Sequence, residues 1–286
     1  MPPRKPSPVG AHVFVAGGLA TGGLACAAEV GAEAVQVFVS NPRGWRTPAN
    51  DPAQDETFRC RCAARRMPAF VHAPYLVNLA SPSELTRERS VESLRYTLRR
   101  AAAIGTLGVV VHAGSAVEDA QRDRALRQLR ELLLPVLDEA PAGPRLLVEP
   151  TAGAGQSLCA TVDDLAPYFA ALDVHDRLGV CLDTCHAFAA GHDLAAPGGV
   201  RTTLNRLVRA VGRGRLGLVH ANDSKDGLAS NRDRHENIGK GRIGVEPFAE
   251  LFRHPATRGV PVVVETPGKA AEHRRDIAIL KELRDR

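Results

Sequence analysis

Six apolar segments of the sequence each end in a side chain that can bind a metal ion. The segments FVH, VVVH, LLVE, VCLD, GLVH and VVVE end at His72, His112, Glu149, Asp183, His220 and Glu265. An imidazole or carboxylate at the end of a buried segment is costly unless a partner satisfies it. Three histidines and three carboxylates form a nitrogen and oxygen set that suits Zn²⁺, and Mn²⁺ or Fe²⁺ are also compatible. The pattern therefore predicts a metal centre.

Three more candidate ligands lie just beyond these segments. His186 belongs to the motif DTCH, and Asp233 and His235 form the motif DRH. Two residues separated by one can point to the same side of an extended segment, so Asp233 and His235 can bind one ion together. Nine ligands are too many for one ion and suffice for three, at about four ligands each with some sharing and water. Clustered metal ions are a recurring device for phosphodiester hydrolysis.

Other interpretations exist for single residues of this set. Any one of them, taken alone, is better explained as a buried polar group that a protein neighbour satisfies, but six at equivalent positions favour metal binding. Cys181 and Cys185 flank Asp183, and we predict that both thiols pack in the core, because the nitrogen and oxygen ligands already suffice. His12 is predicted to lie near the start of the first strand, with a structural hydrogen-bonding role.

The elements that position these residues follow a regular alternation. The predicted strands are 12–16, 34–39, 69–73, 107–113, 145–150, 178–183, 216–222 and 261–266, and the predicted helices are 23–30, 85–104, 120–139, 162–172, 201–211, 247–252 and 269–283. Segment 52–66 is less clearly periodic. Strand and helix alternation predicts an α/β fold with a parallel sheet, and eight units predict a single-domain (β/α)₈ TIM barrel. Active sites of such barrels lie at the carboxyl ends of the strands.

Composition sets the remaining expectations. Residues 1–9 are basic and proline-rich and are predicted to be a flexible tail before a barrel of residues 10–286. A net charge of +5 gives weak support for a polyanionic partner. No apolar stretch approaches the roughly 18 residues that span a bilayer, and the start lacks a secretory signal, so a cytoplasmic location is predicted. The longest region without a predicted element, 223–244, is basic, and such a loop is usually functional.

Several motifs resemble those of the endonuclease IV family. They are GAHVFVAGGL from Gly10, HAPYLVNLASP from His72, VVHAGS from Val110, EPTAGAGQ from Glu149, GVCLDTCHAFAAGHDL from Gly179, HANDSKDGLASNRDRHENIGKGRIG from His220 and VVETPG from Val263. The similarity extends from about Gly10 to Gly268, and the stretches 183–194 and 220–244 are the most specific. One departure is Pro150, where the family commonly has Asn or Thr. A proline lacks the backbone donor and can tilt the neighbouring Glu149.

The resemblance implies three zinc ions and their ligands. One ion takes His72, His112 and Glu149; the second takes Glu149 as a bridge with Asp183, His220 and Glu265; the third takes His186, Asp233 and His235. Glu149 and Glu265 are implied to be catalytic, the first by holding the metal pair and the second by helping to activate the attacking water. The third ion is implied to hold phosphate oxygens and to assist the departing 3′ oxygen.

The resemblance also implies the substrate. Double-stranded DNA is cut on the 5′ side of an abasic nucleotide, which leaves a 3′ hydroxyl and a 5′ deoxyribose phosphate, and the nucleotide turns out of the helix. Arg43, Tyr75 and Leu76 correspond to residues that insert into the DNA, and Trp45 either supports that loop or packs structurally. A monomer would leave the barrel mouth open to DNA.

Two other functions are compatible with the same barrel. A metal-dependent sugar isomerase or epimerase of the related xylose-isomerase-like superfamily uses one or two ions and similar strand-end ligands. It does not need His186, Asp233 and His235, so these residues discriminate between the two functions. A catalytically inert DNA-binding homologue would keep the fold and the charge without cleaving DNA.

Overall fold

Eight parallel strands close into a barrel in a computed structural model that describes residues 6–117 and 121–286. The strands are β1 (Val9–His12), β2 (Val35–Val37), β3 (Ala69–His72), β4 (Gly108–His112), β5 (Arg145–Glu149), β6 (Leu178–Asp183) and β7 (Leu216–His220), then a separate antiparallel hairpin of β8 (Asp223–Ser224) and β9 (His235–Glu236), and finally β10 (Val262–Val264). Each barrel strand pairs with its neighbour in the chain, and β10 closes the ring against β1. The predicted (β/α)₈ barrel is confirmed.

The helices cover the outside of the barrel or lie at its rims. They are α1 (Leu24–Glu29), α2 (Pro52–Arg65), α3 (Glu84–Ala103), α4 (Arg122–Glu139), α5 (Leu165–Ala171), α6 (Thr184–Ala189), α7 (Gly199–Val211), α8 (Glu246–Arg253) and α9 (Ala270–Asp285). The weakly periodic segment 52–66 forms α2, because Asp51 accepts hydrogen bonds from Ala53 N and Gln54 N and thereby caps the first turn. None of the helices within the described ranges is long and apolar enough to cross a membrane.

A layer of apolar side chains fills the interior of the barrel below the carboxyl rim. It consists of Ala34, Phe70, Val110, Leu147, Cys181, Leu218 and Val263. The Leu147 side chain needs glycine on β6 and β7: a Cβ at Gly179 or Gly217 would lie 2.7 or 2.8 Å from its Cδ2 atom. Cys181 packs in this layer as predicted, and burial raises its pKa to about 12, so the thiol stays neutral.

Strand alternation links this layer to the chemistry above it. A residue two positions further along each strand faces the same side of the sheet and therefore lies directly above the apolar layer. Those positions are Gln36, His72, His112, Glu149, Asp183, His220 and Glu265, and Gly10 on β1 is followed in the same way by His12. The eight strands thus present a ring of eight polar side chains to one end of the barrel.

The first strand lies earlier in the chain than predicted. The prediction of 12–16 was wrong, and β1 ends at His12 rather than beginning there. Segment 13–16 was predicted as the strand because its residues have a higher β propensity than the small residues before it. The strand instead includes Gly10, because a residue without a side chain is needed where β1 approaches β2. A Cβ on Gly10 would lie 1.7 Å from the carbonyl oxygen of Ala34.

The predicted tail is also too long. Ser7 is buried and its hydroxyl donates a hydrogen bond to the Thr257 carbonyl oxygen (2.8 Å), and Val9 is fully buried in β1. The folded barrel therefore begins before Gly10. Residues 1–5 of the predicted tail lie outside the described residues.

The long region 223–244 is folded around the buried side chain of Asp223. Its carboxylate accepts hydrogen bonds from the backbone N–H groups of Gly239 (3.0 Å), Gly241 (3.0 Å) and Ile243 (2.8 Å). A Cβ on Gly241 would lie 2.4 Å from Asp223 Oδ1, so this glycine is required. The same fold pairs Ser224 with His235 in the β8–β9 hairpin, which directs the DRH motif toward the barrel rim.

Candidate metal centre

The carboxylate of Glu149 lies at the centre of the strand-end residues. Glu149 is fully buried, and its Oε2 atom is 3.3 Å from His72 Nε2 and 3.6 Å from His112 Nε2. Its other oxygen, Oε1, is 3.1 Å from His220 Nδ1 and 3.3 Å from His186 Nδ1. The two oxygens of one carboxylate therefore face two different groups of imidazoles, as a bridging ligand requires.

Asp183, His220 and Glu265 form a second group on the other side of Glu149. His220 Nδ1 is 3.2 Å from Glu265 Oε2 and 3.8 Å from Asp183 Oδ2. The ligand atoms of these residues and Glu149 all lie within 4.8 Å of one another, a spacing that one cation can bridge.

His186, Asp233 and His235 meet above this group, although they come from separate parts of the chain. Asp233 Oδ1 is 3.2 Å from both His186 Nε2 and His235 Nε2. His235 Nε2 is also 3.5 Å from Asp183 Oδ2, so the third group adjoins the second. The Asp233 side chain is 52% exposed, which places this group at the mouth of the site.

The imidazoles are oriented with one nitrogen toward the centre. His72 Nδ1 lies 2.6 Å from the Ala73 carbonyl oxygen, His186 Nδ1 lies 3.2 Å from that of Pro150, and His235 Nδ1 lies 3.1 Å from that of Glu265. A carbonyl accepts, so each Nδ1 carries a proton, and each Nε2 is the ring atom that can bind a cation. The Nε2 atoms of His186 and His235 are buried and have no hydrogen-bond partner among the described residues. These donor atoms fit divalent cations.

In the absence of metal ions, histidines of the site would carry protons in place of the cations. Burial disfavours the charge on Glu149, but His220, His186 and His72 outweigh burial and hold its pKa well below the ordinary value. Burial likewise opposes the charge on His220, whereas Glu265 and Glu149 raise its pKa well above the ordinary value. Burial lowers the pKa of His112 to about 4, so this ring is neutral. Divalent cations would replace the bound protons.

Two residues of the polar ring are not predicted ligands but contact them. His12 Nδ1 lies 2.7 Å from Glu265 Oε1, which confirms its hydrogen-bonding role, and Gln36 Nε2 donates to the same oxygen (2.6 Å). Gln36 was not predicted as a site residue. Its signal is an amide at the ring position of a strand that is otherwise apolar, VQV.

Asn222 is a further site residue that was not predicted. Its Nδ2 donates to Asp183 Oδ2 (2.7 Å), and its Oδ1 accepts a hydrogen bond from the Glu265 backbone N–H (2.8 Å). Asn222, which follows β7, therefore connects the end of β6 to the end of β10 by hydrogen bonds. Its sequence signal is its position two residues after His220 in the motif HAND.

Pro150 does not displace Glu149. The Glu149 carbonyl oxygen still accepts a hydrogen bond from Ala113 N (3.0 Å), so β5 remains paired with the end of β4. The Pro150 carbonyl oxygen accepts from His186 Nδ1, a role that proline can fulfil, because it lacks only the N–H.

The residues predicted to contact DNA lie at the rim beside the metal centre. The Tyr75 ring stacks on His112 with centroids 5.7 Å apart, and Tyr75 N donates to the Pro42 carbonyl oxygen (3.0 Å), which joins the two loops. Tyr75 and Leu76 are 47% and 36% exposed, and Arg43 is also exposed. Trp45 is half-buried and packs against the core, in agreement with the structural interpretation.

Comparison with known proteins gives full-length matches. Residues 24–283 match the protein family described as xylose isomerase-like TIM barrel. Proteins called probable endonuclease 4 from Streptomyces avermitilis and Streptomyces coelicolor are 60% and 61% identical over 281 residues, which is 98% of this chain and 91% and 96% of theirs. The crystal structure of endonuclease IV from Thermus thermophilus is 38% identical, with a TM-score of 0.85 and 99% of each chain covered.

Proposed function

Because this chain belongs to the endonuclease IV family within the xylose isomerase-like TIM barrels, we propose that it is a DNA repair endonuclease. It cleaves the phosphodiester on the 5′ side of an abasic site in double-stranded DNA and leaves a 3′ hydroxyl and a 5′ deoxyribose phosphate. The observation that carries this proposal is the meeting of the three ligand groups around Glu149 and Asp183. A cytoplasmic location and a monomeric state, which leaves the rim open to a duplex, are part of the same proposal.

The cofactor of the proposed reaction is a set of three Zn²⁺ ions, with Mn²⁺ or Fe²⁺ as compatible substitutes. His72, His112 and Glu149 would hold the first ion, Glu149, Asp183, His220 and Glu265 the second, and His186, Asp233 and His235 the third. Metal ions bound in this way lower the pKa of water and neutralise charge on a phosphate. The half-exposed Asp233 places the third group nearest to an incoming phosphate.

Glu149 and Glu265 are the proposed catalytic residues. Glu149 bridges the first two ligand groups, because its two oxygens face His72 and His220 respectively. Glu265 turns Oε2 toward the cluster, while Oε1 accepts hydrogen bonds from His12 and Gln36. This arrangement holds Glu265 in one orientation, in which Oε2 would help to activate the attacking water.

Arg43, Tyr75 and Leu76 are the proposed DNA-inserting residues. An abasic nucleotide has no base to unstack, so its extrusion into the barrel mouth costs little. Burial raises the pKa of Tyr75 to about 12, so the ring enters the duplex as a neutral group. Lys225 and Arg232 are exposed on the loop that carries Asp233 and are suited to contact the phosphate backbone.

The third ligand group favours the nuclease over the sugar isomerase. An isomerase with one or two ions has no use for His186, Asp233 and His235 at contact distance, yet Asp233 Oδ1 is 3.2 Å from each imidazole. An inert DNA-binding homologue likewise has no need of two imidazoles, His186 and His235, whose buried Nε2 atoms face one carboxylate oxygen of Asp233 without forming a hydrogen bond among the described residues.

The test of the proposal is cleavage of a duplex that contains one tetrahydrofuran abasic analogue. We expect the native protein to cut on the 5′ side of the analogue, to lose activity with a chelator and to regain it with Zn²⁺. The same duplex without the lesion is the control and should remain intact. A Glu265→Gln variant should bind the lesion duplex without cutting it. Absence of cleavage by the fully metal-loaded native protein would refute the proposal.

A further inference from the structure

Gln36 occupies a position in the polar ring between two proposed ligands of the second metal ion. It is fully buried in the middle of the short strand β2, two residues after Ala34 of the apolar layer. Its Nε2 atom is 2.6 Å from Glu265 Oε1, and its Oε1 atom is 3.0 Å from His220 Nε2. One amide therefore bridges the carboxylate and the imidazole.

The chemistry of the partners fixes the orientation of this amide. An ionised carboxylate only accepts hydrogen bonds, so the NH₂ group of Gln36 must face Glu265. The amide oxygen then faces His220 Nε2, which must carry the ring proton in order to donate. His220 Nδ1 is consequently the ring atom left to bind a cation once its own proton is displaced, and it points to Glu265 Oε2 (3.2 Å) and Glu149 Oε1 (3.1 Å).

His12 completes the arrangement at Glu265. His12 Nδ1 and Gln36 Nε2 both donate to Glu265 Oε1 and lie 3.0 Å apart on the same side of the carboxylate. With two donors on Oε1, the remaining oxygen, Oε2, is the one that faces the cluster. The backbone N–H of Glu265 is held by Asn222 Oδ1 at 2.8 Å, so the whole residue has one orientation.

We propose that Gln36 is a positioning residue that selects Nδ1 of His220 and Oε2 of Glu265 as ligands of one and the same metal ion. The inference rests on the proposed function only for the identity of the second ligand set. Outer hydrogen-bond partners of metal ligands typically contribute about 10–100-fold to metal affinity. The hydrogen bonds of the Gln36 side chain go to His220 and Glu265, and its other polar neighbour is His12, so its effect is confined to the second ion.

The test replaces Gln36 by residues of similar length that lack its pair of hydrogen bonds. Q36M can neither donate nor accept, and Q36E can accept from His220 but cannot donate to Glu265. In competition with a chelator, both variants should release one of three Zn²⁺ ions at about 10–100-fold lower chelator concentration than the native protein. In the cadmium-substituted protein, one of three cadmium NMR resonances should shift or disappear. On the lesion duplex, kcat should fall while KM stays within about twofold, since the DNA-contacting rim is unchanged.

Thr97→Val is the control for the loss of a buried hydrogen bond elsewhere. Thr97 is fully buried in α3, and its hydroxyl donates to the Ser93 carbonyl oxygen within the helix (2.7 Å). This variant should keep three ions with native affinity. Circular dichroism of the metal-free proteins shows whether Q36M and Q36E are folded. Glutamate is closer in shape to glutamine than methionine is, so Q36E serves as the test variant if Q36M does not fold.

Native metal affinity in either folded Gln36 variant would overturn the inference. Equal weakening of all three ions would also overturn it, because that result indicates a general structural role. Metal release is compared directly between native protein and variant, so the result stands independently of DNA cleavage. A native protein that binds metal but does not cut the lesion duplex would instead refute the proposed function.

Discussion

His186 Nε2 and Asp233 Oδ1 lie 3.2 Å apart at the mouth of the barrel. His186 stands in the first turn of α6, where its backbone N–H is held by Asp183 Oδ1 at 2.9 Å, so the N-cap of that helix is itself a proposed ligand. Asp233 belongs to the loop folded around Asp223. The third ligand group is thus assembled from the first turn of a helix and a loop, whereas the other two groups come from strand ends.

Asp233→Asn should remove the third metal ion selectively. The amide loses the negative charge between His186 and His235 while keeping its shape. We expect two retained ions per chain, and a fall in kcat of about 10²–10³-fold, the usual cost of losing one preorganised charge stabiliser. Metal analysis and cleavage of the lesion duplex measure both effects.

Asp226→Asn is the matched control for this prediction, since it makes the same charge change in the same loop. Asp226 forms an ion pair with Arg234, and its carboxylate is held by that guanidinium rather than by a proposed ligand. The Asp226→Asn variant should retain three metal ions. Retention of three ions by Asp233→Asn would show that Asp233 is not a ligand.

Asp223→Ala should destabilise the fold and loosen the third ion without touching any ligand. The substitution leaves the N–H groups of Gly239, Gly241 and Ile243 without their acceptor. Hydrogen bonds to a buried charge contribute about 1.5–3 kcal/mol each, so the free energy of unfolding should fall by at least about 3 kcal/mol. Urea unfolding of the metal-free protein measures this change, and an unchanged midpoint would contradict the role assigned to Asp223.

The metal-free protein should lose stability as pH rises from about 6.5 to about 9. Burial opposes protonation of His235, but Asp183 and Asp233 outweigh it and raise its pKa from 6.5 to about 9. A group with a raised folded-state pKa stabilises fully below its unfolded pKa, and the contribution is lost as pH rises through the folded pKa. The pKa of His186 is raised as well, so it acts in the same direction.

Urea unfolding in the presence of a chelator, repeated across this pH range, measures the effect. The slope should become smaller in a His235→Gln variant, which removes one of the titrating groups. A metal-free protein whose stability rises over the same interval would contradict the charge arrangement described for the site.

Tyr75→Ala should weaken binding of the lesion duplex without changing metal content. Stacking of an aromatic side chain on a base contributes about 1–3 kcal/mol, so KM should rise about 5-fold or more. Tyr75→Phe keeps the ring and should bind nearly as the native protein does. Comparable KM values for the alanine variant and the native protein would exclude insertion of Tyr75 into the DNA.

The sequence was sufficient to predict most of the barrel because its buried strands are apolar runs that end abruptly in a ligand. His72, Glu149 and Asp183 all mark such ends, so strand position and chemistry were predicted together. The first strand was misplaced because its register depends on a close contact between Gly10 and Ala34, a tertiary constraint that β propensity does not contain.

Gln36 and α6 were missed for different physical reasons. Gln36 stands alone between two valines, and its role depends on partners at Glu265 and His220, which are distant in the chain. The short helix α6 begins directly at the end of β6, with Asp183 as its N-cap. Its residues were therefore assigned to the DTCH ligand motif and not recognised as a separate helix. Both features become evident only when the strands are closed into a ring.

Stepwise metal loading of the metal-free protein, followed by cleavage of the lesion duplex, tests the central claim most directly. If nine side chains hold three cations around one phosphodiester, full cleavage should appear only as the third equivalent of Zn²⁺ binds. Asp233→Asn should stay about 10²–10³-fold below the native rate at every ratio. Full cleavage after a single equivalent, or none after three, would contradict the account.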